Sequence, residues 1–177
     1  MLFKKCKKTL LISTIAMLSL SSISFAKNIE DFKDLDPDAW YANAIQEALD
    51  LNLFKGVNED EFAPNADITR GMFVTVLGRK ANISEVIDGR EFDDVDSNAY
   101  YANSVKWAAK NGIVKGIGEN LFAPEKEVTR EDVAVIVDRY FKDNQENGDL
   151  EEIEFSDRDE ISEYAIRSIK WAAKNNI

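Results

Sequence analysis

Apolar residues return at helical spacing in two stretches of one long segment, and then again in two stretches of the next. Tyr41, Ala44, Ile45 and Ala48 fall at i, i+3, i+4 and i+7, and Tyr101, Ser104, Val105 and Ala108 repeat that face. Asn111-Gly112 closes the second of these helices as a left-handed cap, and Asn52 holds the equivalent place in the first. A loop follows in each copy, Lys55-Gly56-Val57 to Phe62-Ala63-Pro64 in the first, punctuated by glycine and proline with the phenylalanine pinning it to the core. A further helix then starts at Thr69 and at Thr129, with apolar faces Phe73, Val76, Leu77 and Val133, Ile136, Val137, Tyr140. Thr129 with Asp132 three residues on has the form of a capping box, whereas Met72 stands at that place in the first copy.

The helices belong to a repeat. Phe32 to Arg79 reads in register against Phe92 to Arg139, with Phe32/Phe92, Asp34/Asp94, Tyr41/Tyr101, Gly56/Gly116, Pro64/Pro124 and Thr69-Arg70/Thr129-Arg130 all matching. The period is about 60 residues, in the range where one supersecondary unit stacks on its neighbours. A third copy opens at Phe155 and reaches Ile169 to Asn175, which matches Val105 to Asn111, with one extra residue before the helix. The pattern predicts an all-α fold of tandem helix-loop-helix repeats: residues 27–85, 86–148 and a partial unit at 149–177. Asp143 to Glu154 is acidic with few apolar residues and reads as a solvated linker. A half unit leaves its neighbour's apolar face bare, so either the frame continues past Ile177 or something else completes the third unit, self-association included.

Residues 1–26 stand apart from the array. Lys4, Lys5, Lys7 and Lys8 precede an apolar stretch from Leu10 to about Ile23 and a small-residue site at Ser24-Phe25-Ala26, which is the pattern of a secretory signal peptide cleaved after Ala26. The apolar run, broken by serines and threonines, is short for a stable membrane span. Cys6, the one cysteine, goes with it, so no disulfide supports the exported chain.

Charge then narrows the function. Removing the four leader lysines takes the net charge from −11 to −15, a surface that repels nucleic acid and anionic lipid. Histidine is absent, and with it the commonest general base and metal ligand. No Gly-x-Ser-x-Gly elbow, zinc spacing or phosphate loop occurs, so neither enzyme nor cofactor is expected. Asp34-x-Asp36-x-Asp38 and Asp94-x-Asp96-x-Asn98 alternate like a calcium loop, but Ala39 and Ala99 replace the sixth-position glycine, and Ile45 and Val105 the twelfth-position acid. Aspartates just before a helix serve more often as caps.

The order of these parts resembles the S-layer homology domain: an aromatic followed by aspartates, an aromatic-Ala-x-x-Ile/Val helix, a glycine loop, Phe-x-Pro, and Thr-Arg at a second helix. The family's Ile-Thr-Arg-Ala-Glu stands here as Ile68-Thr69-Arg70-Gly71-Met72 and Val128-Thr129-Arg130-Glu131-Asp132. The resemblance implies a non-catalytic, secreted module of the cell wall or surface, its copies in a pseudo-threefold arrangement. It further implies grooves between copies that bind secondary cell-wall polysaccharide, often pyruvylated, or another peptidoglycan-linked glycan. A surface-lattice subunit and the truncated targeting region of an extracellular wall or glycan enzyme are the alternatives.

Candidate ligand residues follow from that implication. Arg70 and Arg130, beside the caps Thr69 and Thr129, would offer a planar cation to a carboxylate where a helix start already favours anions. Equally, each arginine could pair with the Asp34 or Asp94 loop and hold its unit together. Gly56, Gly116, Asp34 and Asp94 complete the motif set, while Trp40 and its counterpart Tyr100 lie one step off the main face and are expected to be exposed. Truncating Arg70 or Arg130 is expected to weaken polymer binding without unfolding.

Overall fold

The computed structural model describes residues 27–84, 88–141 and 153–177. The expected leader and most of the acidic linker lie outside these residues. The described chain is all-α, with helices α1 (Ala42–Asp50), α2 (Arg70–Lys80), α3 (Ala102–Lys110), α4 (Arg130–Tyr140) and α5 (Ile166–Lys174) and single 3-10 turns at Ile29–Asp31 and Arg158–Glu160. Among the described residues the only β pairings are isolated bridges, Thr69 with Glu127 and Gly118 with Leu121.

Helix ends sit where the punctuation put them. Thr69 and Thr129 cap α2 and α4, their hydroxyls accepting from Met72 N at 3.3 Å and Asp132 N at 3.1 Å. The cap needs only a backbone amide three residues on, so Met72 does not weaken it. Asn52 and Gly112 take left-handed φ values of 54° and 70°, and the next amides, Leu53 and Ile113, reach back to Ala48 O and Ala108 O. Helix carbonyls left open at these ends are thereby satisfied.

Packing crosses the repeat boundary. α2 packs on α3, and α4 packs on α5, so the second helix of each repeat leans on the first helix of the next. One core joins Val74 and Leu77 of α2 to Phe92, Val105, Ala108, Phe122 and Ile136 of the second repeat. A smaller core gathers Ile29, Phe32 and Leu35 against Ala42, Ile45 and Leu49 of α1.

This crossing rotates several faces from their expected positions. In α1 the buried stripe is Ala42, Ile45 and Leu49, while Ala44 is exposed and Ala48 and Tyr41 are half-buried, because the Ile29–Leu35 segment covers that other side. In α2, Phe73 and Val76 are half-buried, and Val74, Leu77, Gly71, Thr75 and Gly78 lie inside against the second repeat. In α4, Ile136 is buried as expected, with Val135 and Asp138 in place of Val133, Val137 and Tyr140. Only α3 keeps the whole expected face, Tyr101, Ser104, Val105 and Ala108.

Candidate functional site

The joint between repeats is built on the matching motifs. Asp34 accepts from the amides of Phe62 and Ala63 at 2.9 and 2.7 Å, and Asp94 accepts from Phe122 and Ala123 at 2.8 and 2.7 Å. These donors hold the Asp34 carboxyl below the ordinary carboxylate range, the Phe62 amide foremost. Asp36 and Asp96 close short turns by accepting from Asp38 N and Asn98 N. The acidic loops therefore clasp each repeat's Phe-x-Pro turn and prepare its first helix.

Gly56 and Gly116 serve the same turn. Both have φ +81°, and a Cβ at Gly56 would stand 2.5 Å from the Phe32 ring and 2.7 Å from Glu61 O. At Gly116 the corresponding contacts are 2.5 Å to Leu121 O and 2.7 Å to Phe92. Glycine is required there by backbone and packing.

The start of α2 docks on the second repeat's turn. Arg70 N and Gly71 N donate to Lys126 O and Pro124 O at 2.9 Å each, and Val128 N donates to Ile68 O at 2.9 Å. Arg70 itself is only 6% exposed. Its Nε donates to Phe122 O at 3.1 Å, its guanidinium lies 5.0 Å from the Phe122 ring centroid, and it pairs with Asp132 at 3.5 Å. The arginine is thus a joint between repeats, and its acidic partner is Asp132 rather than the Asp34 or Asp94 loop. Arg130, its match in sequence, is exposed.

Beside this joint runs a groove of about 400 Å3 between the first repeat's loop, α2 and the edge of the second repeat. Phe54, Phe62, Pro64, Met72 and Val76 give it an apolar floor, and Lys55, Gly56, Thr75, Arg79, Asp67 and Tyr100 supply its polar groups. Tyr100 is 61% exposed, with its ring edge-on to Tyr101 at 4.9 Å. Burial pushes the Tyr100 hydroxyl up, helped by the Glu125 charge, while a hydrogen bond from Thr69 and the Arg79 charge pull the other way. Arg79 is fixed by donating from Nη1 to Leu53 O at 2.8 Å.

Of the residues chosen from sequence, the groove brings together Gly56 and Tyr100, with Thr69 alongside. Trp40 stands apart at 94% exposed, its ring edge-on to Tyr41. Arg79 and Met72 were missed. Arg79 has a visible signal, since it is the last matched pair of the repeat with Arg139.

Fold and joint together define an array of all-α units, the first docking the start of its second helix on the Phe-x-Pro turn of the second, and the second packing its second helix on the first helix of the third. The family model of the S-layer homology domain matches residues 31–71 and 91–134. These two units are S-layer homology domains, a family of non-catalytic modules for anchoring at the cell surface. The chain is 29% identical over 159 residues to an amylopullulanase of Thermoanaerobacterium thermosulfurigenes, covering 89% of this chain and 8% of that protein. It is 32% identical over 131 residues to the surface-layer 125 kDa protein of Lysinibacillus sphaericus, covering 72% and 11%. A cellulosome-anchoring protein of Acetivibrio thermocellus matches at 28% over 131 residues, covering 71% and 29%. The chain therefore spans a minor part of the relatives it matches. Among the described residues no helix is long and apolar enough to cross a membrane.

Proposed function

We propose that this chain anchors non-covalently to a secondary cell-wall polysaccharide at the bacterial surface, holding a carboxylate-bearing sugar such as a pyruvate ketal in the groove beside Tyr100. The observation that carries this reading is the groove's composition. A sugar's C–H face suits Pro64, Met72 and the exposed Tyr100 ring, and Arg79 and Lys55 supply cations on an otherwise acidic chain. Residues 1–26 direct export in this account, and 149–177 begin a third unit. Arg130 remains a candidate contact through its exposed guanidinium, while Arg70, Gly56, Gly116, Asp34 and Asp94 support binding by shaping the joint and its turns. Trp40 is a second exposed aromatic for a long polymer. Co-sedimentation with purified wall sacculi tests the proposal: Tyr100→Ala is expected to lower binding at least tenfold with the fold intact, and undiminished binding contradicts it.

A second reading concerns what is anchored. Relatives that match over 8% and 13% of their length carry enzyme names, an amylopullulanase and an exoglucanase. That proportion favours a targeting region working for a larger partner or a longer chain, and identifying the protein's mass on the native wall tests it.

A further inference from the structure

We infer that Asn111-Gly112, at the end of α3, is a latent modification site: the fold holds it inert, and opening of that helix end lets Gly112 N cyclise onto the Asn111 side chain with loss of ammonia. This does not depend on which ligand the groove holds.

The chemistry is intramolecular. Gly112 N bonds to Asn111 Cγ, the Cγ–Nδ2 bond breaks, and the departing ammonia takes the proton that Gly112 N gives up. Water then opens the succinimide ring at either carbonyl, leaving aspartate or, predominantly, isoaspartate at position 111. A glycine after the asparagine leaves the attacking nitrogen least hindered and its backbone free to turn. The two equivalent helix ends read Leu51-Asn52 and Asn175-Asn176, so of the three only this one joins asparagine to glycine. The cap itself does not demand glycine. A Cβ on Gly112 would meet nothing within 4 Å, and Asn52 and Asn176 take the same left-handed φ, 54° and 57° against 70°.

The fold restrains each part of the reaction. Asn111 Nδ2 donates to Trp107 O at 2.8 Å, which ties the leaving group back onto α3. Gly112 N donates to Ala109 O at 3.1 Å, which engages the nucleophile's proton. Asn111 has φ −87° and ψ 5°, a geometry that turns Gly112 N away from the Asn111 side chain, so closure needs a large ψ rotation. That rotation would drag the next two residues with it. Ile113 and Val114 are 4% and 3% exposed, and their amides reach Ala108 O at 2.8 and 3.3 Å. Both belong to the core that holds Val74 and Leu77 of α2, so the site opens only when part of the joint between repeats opens. The change is then one-way. Isoaspartate routes the main chain through Cβ and adds a methylene between α3 and Ile113, so the capping bonds to Ala108 O and Ala109 O cannot re-form in register.

The test is tryptic peptide mapping of the full chain aged at mildly alkaline pH, folded or in guanidinium chloride, which resolves Asn111 from Asn147 of the other Asn-Gly pair. Deamidation at Asn111 is expected to be at least tenfold slower in the folded chain, because its rate follows the open population. Ile113→Ala is expected to speed the folded reaction at least threefold, and the milder Ile113→Val at least twofold, with the denatured rate unchanged. Chain carrying isoaspartate at 111, made in denaturant and refolded, is expected to have a lower urea midpoint than unmodified chain. Gly112→Asn, taken through the same treatment, is expected to keep its midpoint and to react at position 111 at least tenfold more slowly in denaturant. A folded rate within tenfold of the denatured one, no acceleration by either Ile113 variant, an undiminished rate in Gly112→Asn, or an isoaspartyl chain with the unmodified midpoint overturns the inference.

Discussion

Arg70 and Asp132 form the contact on which the joint most depends, because a guanidinium at 6% exposure has few ways to regain water if its partner is removed. Asp132→Ala is expected to destabilise the chain by about 3 kcal/mol, read as a lower urea midpoint, since it strands a buried charge. Arg70→Ala is likewise expected to act on the fold because Arg70 is buried at the joint, whereas Arg130 is exposed and its truncation is expected to leave the fold intact. Gly56→Ala forces a side chain into φ +81° and the Phe32 ring, with an expected loss of at least about 2 kcal/mol in the same assay. Asp34 adds a pH dependence. Its folded pKa lies below its unfolded value, so its contribution is present above roughly pH 4 and disappears as pH falls through the lower folded value. Acid unfolding followed by circular dichroism should therefore be shallower in Asp34→Asn, which has no carboxylate to protonate. Sequence showed that these residues recur but not why. The acceptor of Arg70 lies 52 residues away, and no local pattern reports a contact at that distance.

At the scale of elements, helix starts and stops were legible because their causes are local. A threonine hydroxyl three residues from an amide, or an asparagine free to take positive φ, acts within one turn of chain. Thr69→Ala and Thr129→Ala are each expected to cost about 1 kcal/mol in thermal unfolding. Helix faces were legible only in part, since α1, α2 and α4 bury what the neighbouring repeat presents to them. The interhelical seam shows how this differs by copy. Gly78 lets α2 approach Ser104 so closely that a Cβ would stand 2.5 Å from its hydroxyl, whereas Asp138 of α4 accepts from the matching Ser168 at 2.7 Å and from Arg167 at 2.9 Å. One seam uses absence of a side chain and the other a charged hydrogen bond, a difference that a helical-face pattern cannot report.

At the scale of the molecule, the period of about 60 residues correctly indicated stacked units. Its groove was only half visible. Gly56 and Tyr100 were picked out, yet Arg79 looked like an ordinary basic residue in a last helical turn. Only the docking of α2 on the second repeat turns that residue and Met72 into groove wall. The central claim is that this groove holds a wall glycan, and the most direct measurement is two-dimensional NMR of the full chain titrated with purified wall polysaccharide. Shifts are expected to concentrate on Lys55, Gly56, Met72, Arg79 and Tyr100 and to be lost in Tyr100→Ala. Shifts confined to other surfaces, or none at saturating polymer, would contradict the account.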